Sequence, residues 1–419
     1  MHGKFSQYFL FFIALTRSAT RVISLIINIS NPYLINRTRI NSIGLELPPT
    51  TMDSDDILVV GLNPALQKRF LLRESEDLVP GKVHRSDKMM QQGIGGKGQD
   101  VAVALACLSP KPKFHVAQFV GQGAEGDEVL ELLQRHTNDL DIDKLTVRTQ
   151  AKLRTCTTII GASSSTELVE PSCTISPEEY QELLNLLKTC ESHPAIVIMG
   201  SMPPGCHQDT YAEIVETCCA SSGDKKCFLL VDSVVGLKPL LHRLSSLKGV
   251  KTMIKINVDE LINLTINNQQ GSRQDIVYAK IAEFIEDNPY VQYLAVTDGK
   301  DTAYFAYVNE TSYDLYALKP PSLEQFNQVL YPIGAGDAVS AGTIAMWKAS
   351  EDPTDSRPDY MKICQESADN MPLMAFQFGL ACASASCLNE QNSSFEQDVA
   401  IKLFKSSSPP EYLGQIQID

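Results

Sequence analysis

Positive charge is in short supply in this chain. Thirty-six Lys and Arg residues stand against 50 Asp and Glu, a formal net charge of −14. A partner with a phosphate backbone needs a basic face, so nucleic acid is set aside as a principal ligand. A small anion held by a few local Arg, Lys and backbone N–H groups stays compatible with that balance. Cys-x-x-Cys spacing is also missing. Eleven cysteines are scattered, only Cys218 and Cys219 are adjacent, and the others fall mostly inside apolar runs. They read as reduced core thiols of an intracellular protein, not as zinc ligands or a disulfide frame. The apolar run from Tyr8 to Leu15 is too short to span a bilayer, and no membrane partner is expected. No internal repeat and no long low-complexity segment follow residue 53.

Acid is absent from the N-terminus as well. No Asp or Glu precedes Glu46, whereas Lys4, Arg17, Arg21, Arg37 and Arg39 are positive and Ser and Thr are frequent. An organellar transit peptide, plastid or mitochondrial, fits this composition. A secretory signal with Phe9–Leu15 as its apolar core competes with it. So does an upstream extension with Met52 as the working start, which would leave a cytoplasmic protein. The folded domain is expected over 53–419, with 1–52 as a targeting or disordered extension. Its 43% hydrophobic and 21% charged residues are those of an ordinary globular protein.

Short apolar, β-branched runs alternate with helical patterns along the chain. Ile57–Leu62 reads as a buried strand, followed by the loop Asn63-Pro64-Ala65-Leu66-Gln67. Arg69–Arg73 and Lys82–Gln91 read as exposed strands around a Pro80-Gly81 turn. Gly93–Asp100 reads as a glycine-rich turn that opens a helix over Val101–Leu108. Strands are then expected at Phe114–Val120, Ile196–Met199, Phe228–Val231, Thr252–Ile256 and Tyr293–Val296, with helices between them. Antiparallel edge strands are expected at Thr302–Tyr307 and Ser312–Leu318, and a buried helix at Met371–Cys387. This rhythm predicts an α/β fold, a three-layer αβα domain with a mostly parallel central sheet. Ligands of such sheets bind outside the carboxyl ends of the strands. Polar stretches follow five of the apolar runs, at Asn63, Gly200–Gly205, Asp232-Ser233, Asn257–Glu260 and Thr297–Gly299, so one rim should carry a site.

Pro332-Ile333-Gly334-Ala335-Gly336-Asp337-Ala338 is a second glycine-rich turn running into a helix. Two glycines let several N–H groups converge, and the helix N-terminus adds partial positive charge, which makes an anion site. Asp337 at its mouth is either a helix cap or a carboxylate that takes a proton from an attacking hydroxyl.

Taken together, these stretches resemble the ribokinase-type (PfkB) carbohydrate kinases over residues 57 to about 390. The resemblance is carried by N-P-A-L at 63–66, G-G-K-G at 95–98, G-S-M-P-P-G at 200–205, N-x-x-E at 257–260 and G-A-G-D at 334–337. With T-E-L-V-E-P at 166–171, they are most similar to the phosphosugar branch of 1-phosphofructokinases, tagatose-6-phosphate kinases and the minor bacterial 6-phosphofructokinase.

The resemblance implies a ribokinase-like fold with a small β-sheet lid near 67–92 and 151–172. It implies phosphoryl transfer from ATP, with Mg²⁺, to a hydroxyl of a sugar or sugar phosphate. Asp337 would be the base, and the amides of Gly334, Ala335 and Gly336 the anion hole. Asn257 and Glu260 would organise Mg²⁺ and its waters, unless they are only a helix cap with an acidic first turn. Lys255, Thr297 and Gly299 match positions near the nucleotide. Gly95, Gly96 and Lys97 would line the sugar site. Arg154 matches an arginine that binds substrate phosphate, with Lys82, Arg85 and Ser201 as companions; a solvated lid edge is the plain alternative for Arg154 and Lys82. Lid pairing into a homodimer occurs in relatives of this kind.

Two departures bear on the acceptor. Gln67 stands where the family usually has Asp, and Asp100 where it usually has Asn, so an acid and an amide have changed places. Tyr331-Pro332 also replaces the usual Asp-Thr or Ser-Thr before G-A-G-D. Two other readings stand beside the sugar kinase. One is a non-catalytic fructokinase-like scaffold on the same fold. The other is a nucleoside kinase, which the charged 69–91 segment disfavours.

Overall fold

The computed structural model describes residues 56–418 apart from 74, 139, 191–192, 220–225, 266–270, 328, 351–357 and 363–369. The N-terminal segment read as a targeting or other extension, 1–52, lies outside the described residues. The strands, in chain order, are β1 (Ile57–Val60), β2 (Ala65–Leu71), β3 (Gln91–Gly95), β4 (Phe114–Gln122), β5 (Thr146–Lys152), β6 (Thr155–Ile160) and β7 (Ser165–Val169). They continue with β8 (Ala195–Met199), β9 (Cys227–Asp232), β10 (Val250–Asn257), β11 (Tyr293–Thr297), β12 (Ala303–Val308), β13 (Ser312–Leu318) and β14 (Glu411–Gln417).

Ten of them form one sheet in the order β14-β13-β12-β11-β10-β9-β8-β1-β4-β5. The seven from β5 to β11 run parallel, and β12, β13 and β14 extend the edge antiparallel. β1 shows why the central strands read as unbroken apolar runs: all four of its residues are 0% exposed. Ile57 and Val59 pack with the helices Lys97–Ala106, Ala335–Ala349 and Met371–Ser386. Leu58 and Val60 point the other way, into the helices Thr210–Cys219, Leu237–Leu244 and Arg273–Asp287. A period of two thus feeds two separate cores, one on each face, and the result is the three-layer αβα domain expected. The ten described cysteines are all free.

A second sheet, ordered β3-β2-β6-β7, is the lid. Its β2 and β6 are parallel and its outer pairs antiparallel. The lid differs from the expectation in one strand. Residues 82–90 are irregular, and the strand begins only at Gln91. Local side chains take the backbone partners a ladder would need there: Val79 N–H donates to His84 Nε2 (3.0 Å) and Lys88 N–H to Ser86 Oγ (3.1 Å). The glycine-rich stretch at 93–96 is likewise strand up to Gly95, and the chain turns only at Gly96, where φ is +113°. The edge strand β14 has no counterpart among the expected strands; its pairing with β13 comes from residues about a hundred positions earlier.

Candidate active site

Strands β1, β8, β9, β10 and β11 are adjacent and parallel, so their carboxyl ends share one rim. The expected polar stretches all begin there. Asn63 leaves β1, Gly200 follows β8, Asp232 ends β9, Asn257 ends β10 and Thr297 ends β11.

The rim opens into a cavity of about 470 Å³ between the sheet and the lid. Gln67, Gly95, Gly96, Lys97, Asp100, Arg154, Ser201, Glu260, Gly334 and Asp337 all line it. Two glycines bring the first helix up to β1: a Cβ on Gly98 would stand 2.3 Å from the Cα of Gly61. Gly334, at φ +81°, turns the chain into the helix Ala335–Ala349. The amides of Gly334 and Gly336 have no hydrogen-bond partner among the described residues, whereas Ala335 N–H donates to Pro332 O at 3.2 Å.

Asp337 lies in the first turn of that helix and is 8% exposed. Burial above all, then the negative charge of Asp232, pushes its carboxyl up to about 7; Lys97 and Lys255 pull the other way. Asp100 is buried beside it. Desolvation and then the Asp337 charge drive Asp100 well above the usual carboxylate range, with Arg69 opposing. Its Oδ1 has no partner among the described residues. Gln67, the other exchanged residue, donates to Thr158 Oγ1 at 2.6 Å across the β2–β6 pair.

The sequence marks Asp232 only as a rim residue, and the structure gives it a larger role. Its oxygens accept from Lys97 Nζ at 2.9 Å and Lys255 Nζ at 2.7 Å. Ser340 Oγ adds a third donor at 3.0 Å. Burial would raise the Asp232 carboxyl, yet Lys255 and Lys97 together hold it below its ordinary range. Lys97 is raised for the matching reason: burial is outweighed by Asp232, Asp337 and Glu260. Lys255 Nζ also donates to Gly336 O at 3.2 Å, which ties β10 to the glycine turn.

Asn257 and Glu260 form a capping box on the helix Val258–Leu264, each side chain bound to the other's backbone N–H (2.8 and 2.9 Å). The cap engages Glu260 Oε2, and Oε1 lies 3.5 Å from Lys97 Nζ at the cavity wall. One carboxylate oxygen therefore faces the cavity and fits a cation held mainly by phosphates and water. Among the described residues, no group of three or more His, Cys, Asp or Glu has the geometry of a metal site.

Arg154 Nη2 donates to Asn63 O at 2.8 Å, and its Nε to Pro64 O at 3.3 Å. Asn63 Nδ2 in turn donates to Ser201 Oγ at 2.9 Å. Lys82 and Arg85 are exposed on the irregular 82–90 segment and do not line the cavity. Lys255, buried on β10, does not line the cavity, nor do Thr297, which ends β11, and Gly299 just after it.

The chain matches the model of the pfkB family of carbohydrate kinases over residues 67–397. It belongs to that family. The fold agrees with solved members of similar architecture. Phosphofructokinase-2 from Escherichia coli, in its tetrameric inhibited form, aligns with a TM-score of 0.63 at 19% identity, covering 84% of this chain and 98% of that one. A possible 1-phosphofructokinase from Thermotoga maritima gives 0.62 at 19% identity over 85% and 99%. Ribokinase from Giardia lamblia gives 0.61 at 14% identity over 84% and 99%. This pfkB-family chain is thus a carbohydrate kinase with a ribokinase-like α/β fold, and its substrate is a small sugar-type molecule.

Proposed function

We propose that this carbohydrate kinase uses Asp337 as general base to transfer the γ-phosphoryl group of ATP, with Mg²⁺, to a hydroxyl of a sugar phosphate. The observation that carries the reading is the pairing of a buried carboxyl poised at about 7 with the unpartnered amides of Gly334 and Gly336. A base near the working pH combines adequate ionisation with adequate proton affinity. ATP supplies the phosphoryl group, and Mg²⁺ screens its charge when both are bound. Asp337 takes the proton of the attacking hydroxyl, whose oxygen then bonds to phosphorus as the bond to ADP breaks. The two glycine amides, with the helix N-terminus behind them, donate to the equatorial oxygens as charge shifts in the transition state. Lys97 and Lys255 keep positive charge close to that spot, and Glu260 offers Oε1 to the hydrated cation. Thr297 and Gly299 are assigned to the nucleotide side of the rim.

Arg154 supports an acceptor that already carries a phosphate. Two of its five donors hold the loop Asn63-Pro64, which leaves others for an anion in the cavity. Similarity to phosphofructokinases points the same way. Lys82 and Arg85 could join only if their exposed segment folds inward on substrate. An organellar or cytoplasmic location stays a proposal resting on composition, as does pairing of two lids into a dimer.

The test is ADP release by the full chain with ATP and Mg²⁺ against free hexoses, pentoses, hexose phosphates and nucleosides. Turnover on a phosphosugar is the expected result. A clear preference for a free sugar would remove the phosphate role of Arg154 and make Gln67 and Asp100 the specificity pair. Preference for a nucleoside, or ATP binding without turnover, would overturn the proposal.

A further inference from the structure

Arg69 sits on lid strand β2, more than 320 residues in sequence from the loop it grips. Its guanidinium donates to the backbone carbonyl of Glu390 and to Asn392 Oδ1. Tyr331 Oη, just upstream of the glycine turn, donates to Glu390 Oε1 at 3.1 Å. Next to Asn392 is Ser393, fully buried, whose Oγ donates to the carbonyl of Gly334 at 2.9 Å. Ser393 holds φ at +58°, a left-handed conformation that a serine seldom adopts and that the surroundings must enforce. The contact is tight: a Cβ on Gly334 would lie 2.3 Å from that Oγ. A hydrogen-bonded path therefore runs from the lid, through 390–393, to the residue that caps the catalytic helix.

The path is not part of a packed plug. A second cavity of about 250 Å³ lies behind it, lined by Arg69, His136 and Gln391 and sharing Asp100 and Asn392 with the active-site cavity. Arg69 lines this second cavity, so its side chain borders open space on that side.

We propose that Arg69 is a positioning residue of the lid: through Asn392 and Ser393 it holds the Gly334 turn in the geometry that phosphoryl transfer needs. The inference rests on the kinase reading above for its consequence, while the mechanical link can be read without turnover. Arg69 touches neither the phosphoryl group nor the base. Its removal should loosen the turn and leave substrate affinity in place.

The experiment uses the full chain and the variants Arg69→Met, Arg69→Lys, Ser393→Ala and the double change Arg69→Met with Ser393→Ala. Amide hydrogen exchange over residues 332–338 is measured without ligand, and kcat and KM are measured with the best acceptor. Arg69→Met should speed exchange across the turn and lower kcat by about tenfold to a hundredfold, with both KM values nearly unchanged, since small misplacements cost rates of that size. Arg69→Lys should recover part of kcat. The double variant should be little worse than the worse single one, because both act on one path. Unchanged exchange in Arg69→Met and in Ser393→Ala would overturn the link whatever the rates do. A loss confined to acceptor KM would also overturn it, making Arg69 a binding group. Faster exchange in a chain that phosphorylates nothing would sink the kinase reading and leave the mechanical link standing.

Discussion

Lys255 Nζ donates to Asp232 Oδ2 across 2.7 Å, at a carboxylate whose side chain is 1% exposed. Lys97 takes the other oxygen at 2.9 Å, so one buried acid joins the two glycine-rich segments of the site. Lys97 opens the helix after β3, and Lys255 reaches Gly336 O in the first turn of the helix Ala335–Ala349. The two lysines outweigh the single acid, and the surplus positive charge lies beside Asp337. This arrangement keeps cations in place for phosphates before any ligand arrives.

Asp232→Asn should therefore do two things. Leaving the buried Lys255 ammonium with a neutral partner should destabilise the fold by about 3 kcal/mol, as broken buried ion pairs generally do, while Lys97, more than a third exposed, adds less. It should also lower the apparent pKa of Asp337, because a raising charge is lost while both lysines stay. Thermal unfolding checks the first effect, and the acid limb of kcat/KM against pH checks the second. A lower melting temperature with an unmoved acid limb would mean that Asp232 is structural only.

In the unmodified protein, kcat/KM should rise with pH through about 7 and then level off, since only the ionised carboxylate of Asp337 accepts the proton. Asp100, buried and pushed up alongside it, makes the two carboxyls titrate as a pair, so the rise should be broader than that of a single group. Initial rates from pH 5.5 to 9 at saturating nucleotide measure this (about that range suffices for one group near neutrality). A flat profile would remove Asp337 from the base role.

Asp337→Asn should reduce kcat by roughly 10²–10⁴ with nucleotide binding retained. It should also stabilise the protein at pH 8. The sign follows from linkage: the folded carboxyl titrates at about 7 against an ordinary 3.8, so the folded state holds more proton between those values. Stability is then lost as pH rises through that window, and the amide escapes the loss. Melting temperatures at pH 5 and pH 8 should show a larger gain for the Asp337→Asn variant at the higher value, because pH 5 lies only part-way through that window. Equal shifts at both would point to packing, not ionisation.

Much of this was legible because the central strands are buried on both faces. Apolar runs such as Ile57–Val60 and Ala195–Met199 announce themselves, and parallel order sends the polar residues after them to one rim. The glycine-rich turns before Asp100 and Asp337 were equally readable as places where the backbone folds tightly into a helix. The lid was harder. Its exposed 82–90 segment, next to the Pro80-Gly81 turn, reads as a strand but satisfies its backbone through His84 and Ser86. The roles of Asp232, Asn392 and Ser393 are hidden for a different reason. Each acts through partners at least 23 residues away in sequence, and no local spacing marks such pairs.

Arg154 offers the sharpest test of the acceptor. Its guanidinium anchors the Asn63-Pro64 loop through two donors and borders the cavity that Gly95 and Ser201 also line. A planar fork of this kind suits phosphate oxygens better than a hydroxyl. Arg154→Ala should raise KM for a phosphosugar by about tenfold to a hundredfold, the range of one charge-assisted contact, while kcat falls much less. KM for the corresponding free sugar should move little, because only the loop anchor is lost. Arg154→Lys should recover part of the phosphosugar KM, since it restores charge without the fork. If free sugar and phosphosugar suffered alike, the arginine would be a loop anchor alone, and the anion would have to be met by another part of the lid.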